Sequence, residues 1–316
     1  MRTAAAKPTL VAMVRRLRHS LLALLALALA VTAAGCGGGQ SGGTVALPVL
    51  DDLTPVAEAT GRADSARFEM QFELQMQGFD SPFGFSATGA FDTPAKKAEI
   101  TTDLGSFAEL MNGVAGSFGG DAPPELADSS KWKLDLRLDG TVAYMRLPFL
   151  ASELPSGKSW VRIDLAEAAR LQGADFGEFQ SLAKGGDPRE TLDYLRSVSG
   201  KVTHVGTEKI RGVPTSHYFA VLDWQRAVAA AAREANQPGL LDQLQGPGGS
   251  IQNIPVDVWV DSDNLVRRMT MDFSVSPSDQ QRAKASISME LFDYGEPVTI
   301  EAPPADDVVD SSALTD

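Results

Sequence analysis

The sequence predicts an α+β protein: a large, curled antiparallel β-sheet wrapped over a few helices. Three observations carry this reading. Phe68, Met70, Phe72, Leu74 and Met76 alternate with Glu69, Gln71, Glu73 and Gln75, the period of a strand with one wet face. Three further pairs of alternating runs meet at short turn signals, Asp139-Gly140, Arg211-Gly212 and Asp263-Asn264. The sum is about ten antiparallel strands, apolar on one face and polar on the other, and a sheet of that size curls around something. Helices or a ligand could fill its concave side.

The chain opens with a different pattern. Arg15-Arg16-Leu17-Arg18 precedes Leu21 to Val31, which is almost wholly Leu and Ala, and Ala33-Ala34-Gly35-Cys36 follows. This is the order of a secretory signal: basic start, short apolar run, small residues before a cut. The apolar run is shorter than the roughly 20 residues that span a bilayer. A cut after Gly35 makes Cys36, the sole cysteine, the new N-terminus. The stretch resembles the lipobox of bacterial lipoproteins, with Ala33 where leucine is usual. That resemblance implies a diacylglyceryl thioether on Cys36 and attachment to the membrane through it, in an extracytoplasmic setting. The alternative is an ordinary secreted protein with one leftover cysteine.

Residues 1–35 carry five basic and no acidic side chains, so the rest of the chain has 23 basic against 41 acidic residues, a net charge of −18. Such a balance excludes nucleic acid as the expected partner, since phosphates demand a basic face. With no second cysteine there is no intrachain disulfide, and stability must come from packing.

The elements follow in order. Residues 36–43 are a glycine-rich tether after the lipidation point, residues 44–304 are expected to form one domain, and 305–316 an acidic, disordered tail. Leu50 to Thr60 reads as a short amphipathic helix. The strand at 65–77 is followed by strands at 83–92 and 98–104. Ser106 to Asp128, rich in Gly and Pro yet carrying Phe107, Leu110 and Phe118, is either a mobile apolar helix or flap, or a loop that packs a few side chains down. In the hairpin at 131–147 a two-residue Asp139-Gly140 loop pairs Leu138 with Thr141 and Leu136 with Ala143. Trp132, Leu134, Leu136, Ala143 and Met145 then share one face. Trp160 to Ile163 is a strand. Asp164-Leu165-Ala166-Glu167 and Asp187-Pro188-Arg189-Glu190 are helix starts with acidic caps. A hairpin spans 201–222, Asp223 caps a helix over 224–236, and a third hairpin joins 256–261 to 265–276. Its register puts Val256, Val258, Met269 and Met271 on one face and Trp259 opposite Arg268 on the other. The last strand, 285–293, points Ile287, Met289 and Leu291 inward.

Several stretches are similar to LppX/LprG-type lipoproteins of actinobacteria. They are the leader, Ser65-Ala66-Arg67-Phe68, Gly206 to Tyr218, Val256 to Asp261 with Leu265-Val266-Arg267, and Tyr294 to Ile300 with Pro303. The resemblance covers most of residues 44–304. It implies the half-barrel of the LolA-like lipid carriers, with a lipid-binding cavity between sheet and helices.

No catalytic constellation stands out. Gly157-Lys158-Ser159 echoes the end of a P-loop, but Ser152 occupies the earlier glycine position and a strand follows. His204, His217 and Glu208 would share a face across a two-residue Arg211-Gly212 turn and could form a weak metal site or acid/base cluster. A one-residue bulge would separate them. No cofactor and no metal is expected. The expected function is to bind and carry, or hold, a lipid or other apolar ligand without catalysis. The candidate lining is Phe68, Met70, Phe72, Leu74 and Met76 from the first strand, and Trp132, Leu134, Leu136 and Met145 from the 131–147 hairpin. Val256, Val258, Met269, Met271 and Met289 complete it from the C-terminal strands. The alternative is an envelope sensor or scaffold of the same fold that binds a partner protein.

Overall fold

Strand β1 (Ser65–Met76) is the middle of the molecule, although it comes first among the strands. The computed structural model describes residues 53–77, 82–109, 112, 128–147, 154–155, 157–167, 202–223, 253–278 and 281–314. They hold β2 (Phe83–Asp92), β3 (Lys97–Asp103), β4 (Lys133–Asp139), β5 (Val142–Arg146), β6 (Trp160–Asp164) and β7 (Thr203–Ile210). Five more follow: β8 (Val213–Asp223), β9 (Asn253–Val260), β10 (Val266–Ser278), β11 (Gln281–Phe292) and β12 (Val308–Asp310). All twelve join one sheet in the order β12-β6-β5-β4-β3-β2-β1-β11-β10-β9-β8-β7. Two antiparallel meanders, β1 to β6 and β7 to β11, are therefore sewn together along β1 and β11. The parallel pair β6–β12 ends one side.

The alternation in β1 sets the two faces. On one face Phe68 is buried, together with Leu136, Val256, Val258, Met269, Met289 and Leu291. Helix α1 (Thr54–Thr60) packs on this face through Leu53 and Val56, both without exposed surface. Thr60 locks it in place by accepting the Val266 N–H at 3.1 Å. Gly89 lies directly across from Phe68, and the Phe68 ring covers it so closely that an added Cβ would collide with the ring and with the Glu99 carbonyl.

Turn chemistry sets the registers. Arg211 and Gly212 both have positive φ (47° and 83°), the type I′ pattern, and Ile210 pairs with Val213 as expected. The 256–276 hairpin also has the expected register, with Val258 opposite Met269 and Trp259 opposite Arg268. The β4–β5 hairpin differs. Asp139 pairs with Val142 and Leu138 with Ala143, so the loop is Gly140-Thr141. Only Gly140 has positive φ, which suits a loop with glycine at its first central position, and Gly140 N–H donates to Lys96 C=O at 3.0 Å. The shift is by two residues, so the faces of this hairpin are those expected.

The acidic tail is the larger correction. Residues 305–314 are ordered, against the disorder that composition predicts. Val309 is buried, and β12 lies beside β6. Basic and hydroxyl groups hold the segment that leads there. Lys97 donates to Ile300 C=O at 3.2 Å, Arg137 to Glu301 C=O at 2.9 Å and Lys158 to Asp306 C=O at 2.9 Å. Ser159 Oγ–H donates to Asp307 at 2.8 Å, and Arg162 to Asp310 at 2.8 Å. Lys158 and Ser159, the residues that echo a P-loop, are thus anchors for the tail. Asp164 caps a helical turn as expected, accepting from Ala166 N–H at 3.0 Å and Glu167 N–H at 3.1 Å. The helices expected from 187 and 224, and most of Ser106 to Asp128, lie outside the described residues.

Candidate functional site

The apolar face changes character along the strands. Two transverse rows show it. Met70, Met289, Met269 and Val258 are consecutive partners across β1, β11, β10 and β9; so are Phe72, Ile287, Met271 and Val256 one step further along. In the first row Met289, Met269 and Val258 are buried and Met70 is half-buried. In the second only Val256 is buried, and Phe72, Ile287 and Met271 are half-buried. Beyond it Leu74 faces Phe83, Phe72 faces Phe85 with ring centroids 5.2 Å apart, and Met76 ends the strand, all half-buried. Among the described residues Phe72, Leu74, Met76, Phe83 and Phe85 do not belong to the core cluster that α1 completes. One end of the face is a sealed core, and the other is an apolar strip with surface to spare.

The candidate lining residues divide accordingly. Phe68, Leu136, Val256, Val258, Met269 and Met289 are core, and Leu134 is buried beside them on β4. Met70, Met145 and Met271 are partly buried at the core's margin. Phe72, Leu74 and Met76 form the open strip. Trp132 is elsewhere: with Ala108, Leu104 and Phe107 it makes a second small cluster, its ring 6.4 Å from that of Phe107. Phe83, Phe85 and Phe273 were not among the expected lining residues, although Phe83-x-Phe85 has the same period-two spacing as β1. Cys36 lies outside the described residues.

The polar face carries its own row, Glu69, Glu290, Arg268, Trp259, His217 and Gly206, each the cross-strand partner of the next from β1 to β7. Arg268 donates to Glu290 at 2.8 and 2.6 Å, and its guanidinium lies 5.5 Å from the Trp259 ring. His217 stacks on Trp259 at 4.2 Å and meets Asp257 at 2.5 Å, while Trp259 Nε1–H donates to Glu208. A bulge at Val205 breaks the register between His204 and Gly206, so His204 faces Tyr218 instead of joining His217 and Glu208. Among the described residues no group of three or more His, Cys, Asp or Glu could hold a metal ion.

The fold and its two faces define a one-sheet scaffold whose apolar side is only half covered by its own described helix. No protein-family model matches the chain. Over 156 residues it is 30% identical to an uncharacterized 31.2 kDa protein of Streptomyces griseus, covering 49% of this chain and 48% of that one. Over 272 residues it is 25% identical to a Streptomyces coelicolor protein named "putative lipoprotein", covering 84% of this chain and 76% of the other. The match therefore spans about half the length of the first relative. Among solved structures, the lipoprotein LppX of Mycobacterium tuberculosis is 15% identical with a TM-score of 0.38, over 78% of this chain and 94% of that chain. The word lipoprotein thus stands in the names of one relative and of one solved structure that the chain is similar to.

Proposed function

We propose that the chain is a membrane-tethered carrier or holder of a lipid or other apolar ligand, seated on the strip formed by Phe72, Leu74, Met76, Phe83 and Phe85. The single observation that carries this is the half-buried state of that strip beside a fully sealed core. Burying acyl chains there would gain about 0.8 kcal/mol per CH₂. Phenylalanine and methionine supply a surface that adapts to irregular apolar shapes. The lipobox-like Ala33-Ala34-Gly35-Cys36 and the relative named as a lipoprotein support anchoring through diacylglyceryl-Cys36. Binding and release of a ligand require no catalysis.

Native mass measurement of the chain purified without detergent, followed by solvent extraction, tests this. Lipid in near-stoichiometric amount, lost in folded Phe72→Asp, is the expected result. A bare protein mass with no uptake from vesicles would overturn it. The second reading, a scaffold that binds a partner protein, is favoured by the near end of the face, where α1 already fills the concave side through Leu53 and Val56.

A further inference from the structure

A cavity of about 290 Å³ opens where the β7–β8 turn meets the end of β11. Ile210, Val213, Leu291 and Phe292 supply its apolar wall, Arg211 and Arg267 its cationic part, and Asp293 one carboxylate. Both arginines are held stiffly. Arg267 is mostly buried, its Nε–H donates to Asp261 at 2.6 Å, and its guanidinium lies 4.8 Å from the Tyr294 ring. Arg211 donates from Nε to Glu290 at 2.6 Å and from Nη2 to Glu69 at 2.5 Å, with its guanidinium 3.9 Å from the Phe292 ring.

These bonds leave donors over. Among the described residues, neither Nη of Arg267 nor Nη1 of Arg211 has a protein acceptor. A guanidinium offers five N–H groups in a fixed fork that matches two oxygens of one anion. Asp293 does not oppose an anion strongly, because Arg67 Nε stands 3.5 Å from it. The surrounding charges balance: Arg67, Arg211, Arg267 and Arg268 against Glu69, Asp261, Glu290 and Asp293. Selection at such a place comes from hydrogen-bond geometry, not from net field.

We propose that this cavity is an oxyanion site. It takes a phosphate or carboxylate group on the free N–H edges of Arg267 and Arg211, with any apolar body attached to that group lying against Val213 and Phe292. The site stands on its own residues and does not rest on the carrier reading.

Calorimetric titration of the purified full-length chain tests it, with inorganic phosphate and, separately, with a short-chain phosphatidate below its micelle concentration. Val213→Glu places a carboxylate in the wall and breaks none of the ion pairs. Arg267→Lys keeps a cation opposite Asp261 and removes the fork. Saturable binding of either probe, weakened about tenfold or more in a folded variant, is the expected result. Binding of inorganic phosphate alone identifies a free ion as the ligand, whereas binding of the phosphatidate identifies a lipid headgroup. Should Val213→Glu fail to fold, Arg267→Lys decides by the same criterion. Absence of saturable binding with both probes, or binding unchanged in the folded variants, overturns the proposal.

Discussion

Glu69 and Glu290 sit directly opposite each other across the β1–β11 ladder, two like charges where opposition is unfavourable. Arg211, 142 residues from Glu69 in sequence, closes over both. Burial pushes the Glu290 carboxyl up, but hydrogen bonds from Arg211 and Arg268 outweigh it and hold the group below the usual glutamate range. Arg211→Asn keeps a residue that tolerates the positive φ of the turn and removes the bridge. We expect a loss of about 1 kcal/mol at neutral pH, as the pair is partly exposed. A carboxyl depressed in the folded state contributes stability above its unfolded pKa and loses it as pH falls through the folded value. The gap between Arg211→Asn and the parent should therefore shrink below about pH 4, where glutamate protonates. Urea melts at two pH values measure this.

The tail gives a second pH effect. Asp310 is held below the ordinary aspartate range by hydrogen bonds from the Ser312 N–H and hydroxyl, then by Arg162. By the same sign, its contribution is present above about pH 4 and lost as pH falls below it. Limited proteolysis should show residues 305–316 cut faster in acid than at neutrality. Val309→Asp, which puts a charge at a buried position, should make the cut fast at both pH values while the remaining sheet stays intact. An equally slow cut in Val309→Asp would mean that β12 is not what holds the tail.

Two phenylalanines on one strand should behave differently. Phe68 is 1% exposed in the core, so Phe68→Ala should cost about 3–5 kcal/mol. Phe72→Ala, in the half-buried strip, should cost clearly less and reduce lipid uptake from vesicles instead. Equal destabilisation with unchanged uptake would assign Phe72 to the core and remove it from the ligand face.

Gly89 reports on the seam below Phe68. Gly89→Ala forces the new Cβ against the Glu99 carbonyl and the Phe68 ring, and should cost about 1–3 kcal/mol. Combining it with Phe68→Leu should recover part of that loss, which a double-mutant cycle would measure.

Much of the sheet was legible because its signals are local. The alternation in 68–76, the Arg211-Gly212 turn and the pairing of Trp259 with Arg268 each depend on residues a few positions apart. The β4–β5 register was missed by two residues because Asp139-Gly140 is a good turn pair on its own; the contact from Gly140 to Lys96, 44 positions earlier, is not visible locally. The tail reads as disordered since Asp306, Asp307 and Asp310 cannot form a core, and its partners Lys158, Ser159 and Arg162 lie 148 positions upstream. Of the candidate site, the apolar face was legible from period two. Which end is sealed was not, because that depends on where α1 lands.

The seam between β1 and β11 has a consequence for how the molecule is made. Synthesis delivers β1 first and β11 almost last, so the centre of the sheet closes only after both meanders are made, with β12 alone left to add at one edge. Until then β1 and β10 each present a long naked strand edge, the geometry that recruits other chains. Non-local pairing of this kind is also slow. An unfinished chain therefore keeps the β1 edge open to pairing with other chains until residue 292 has emerged.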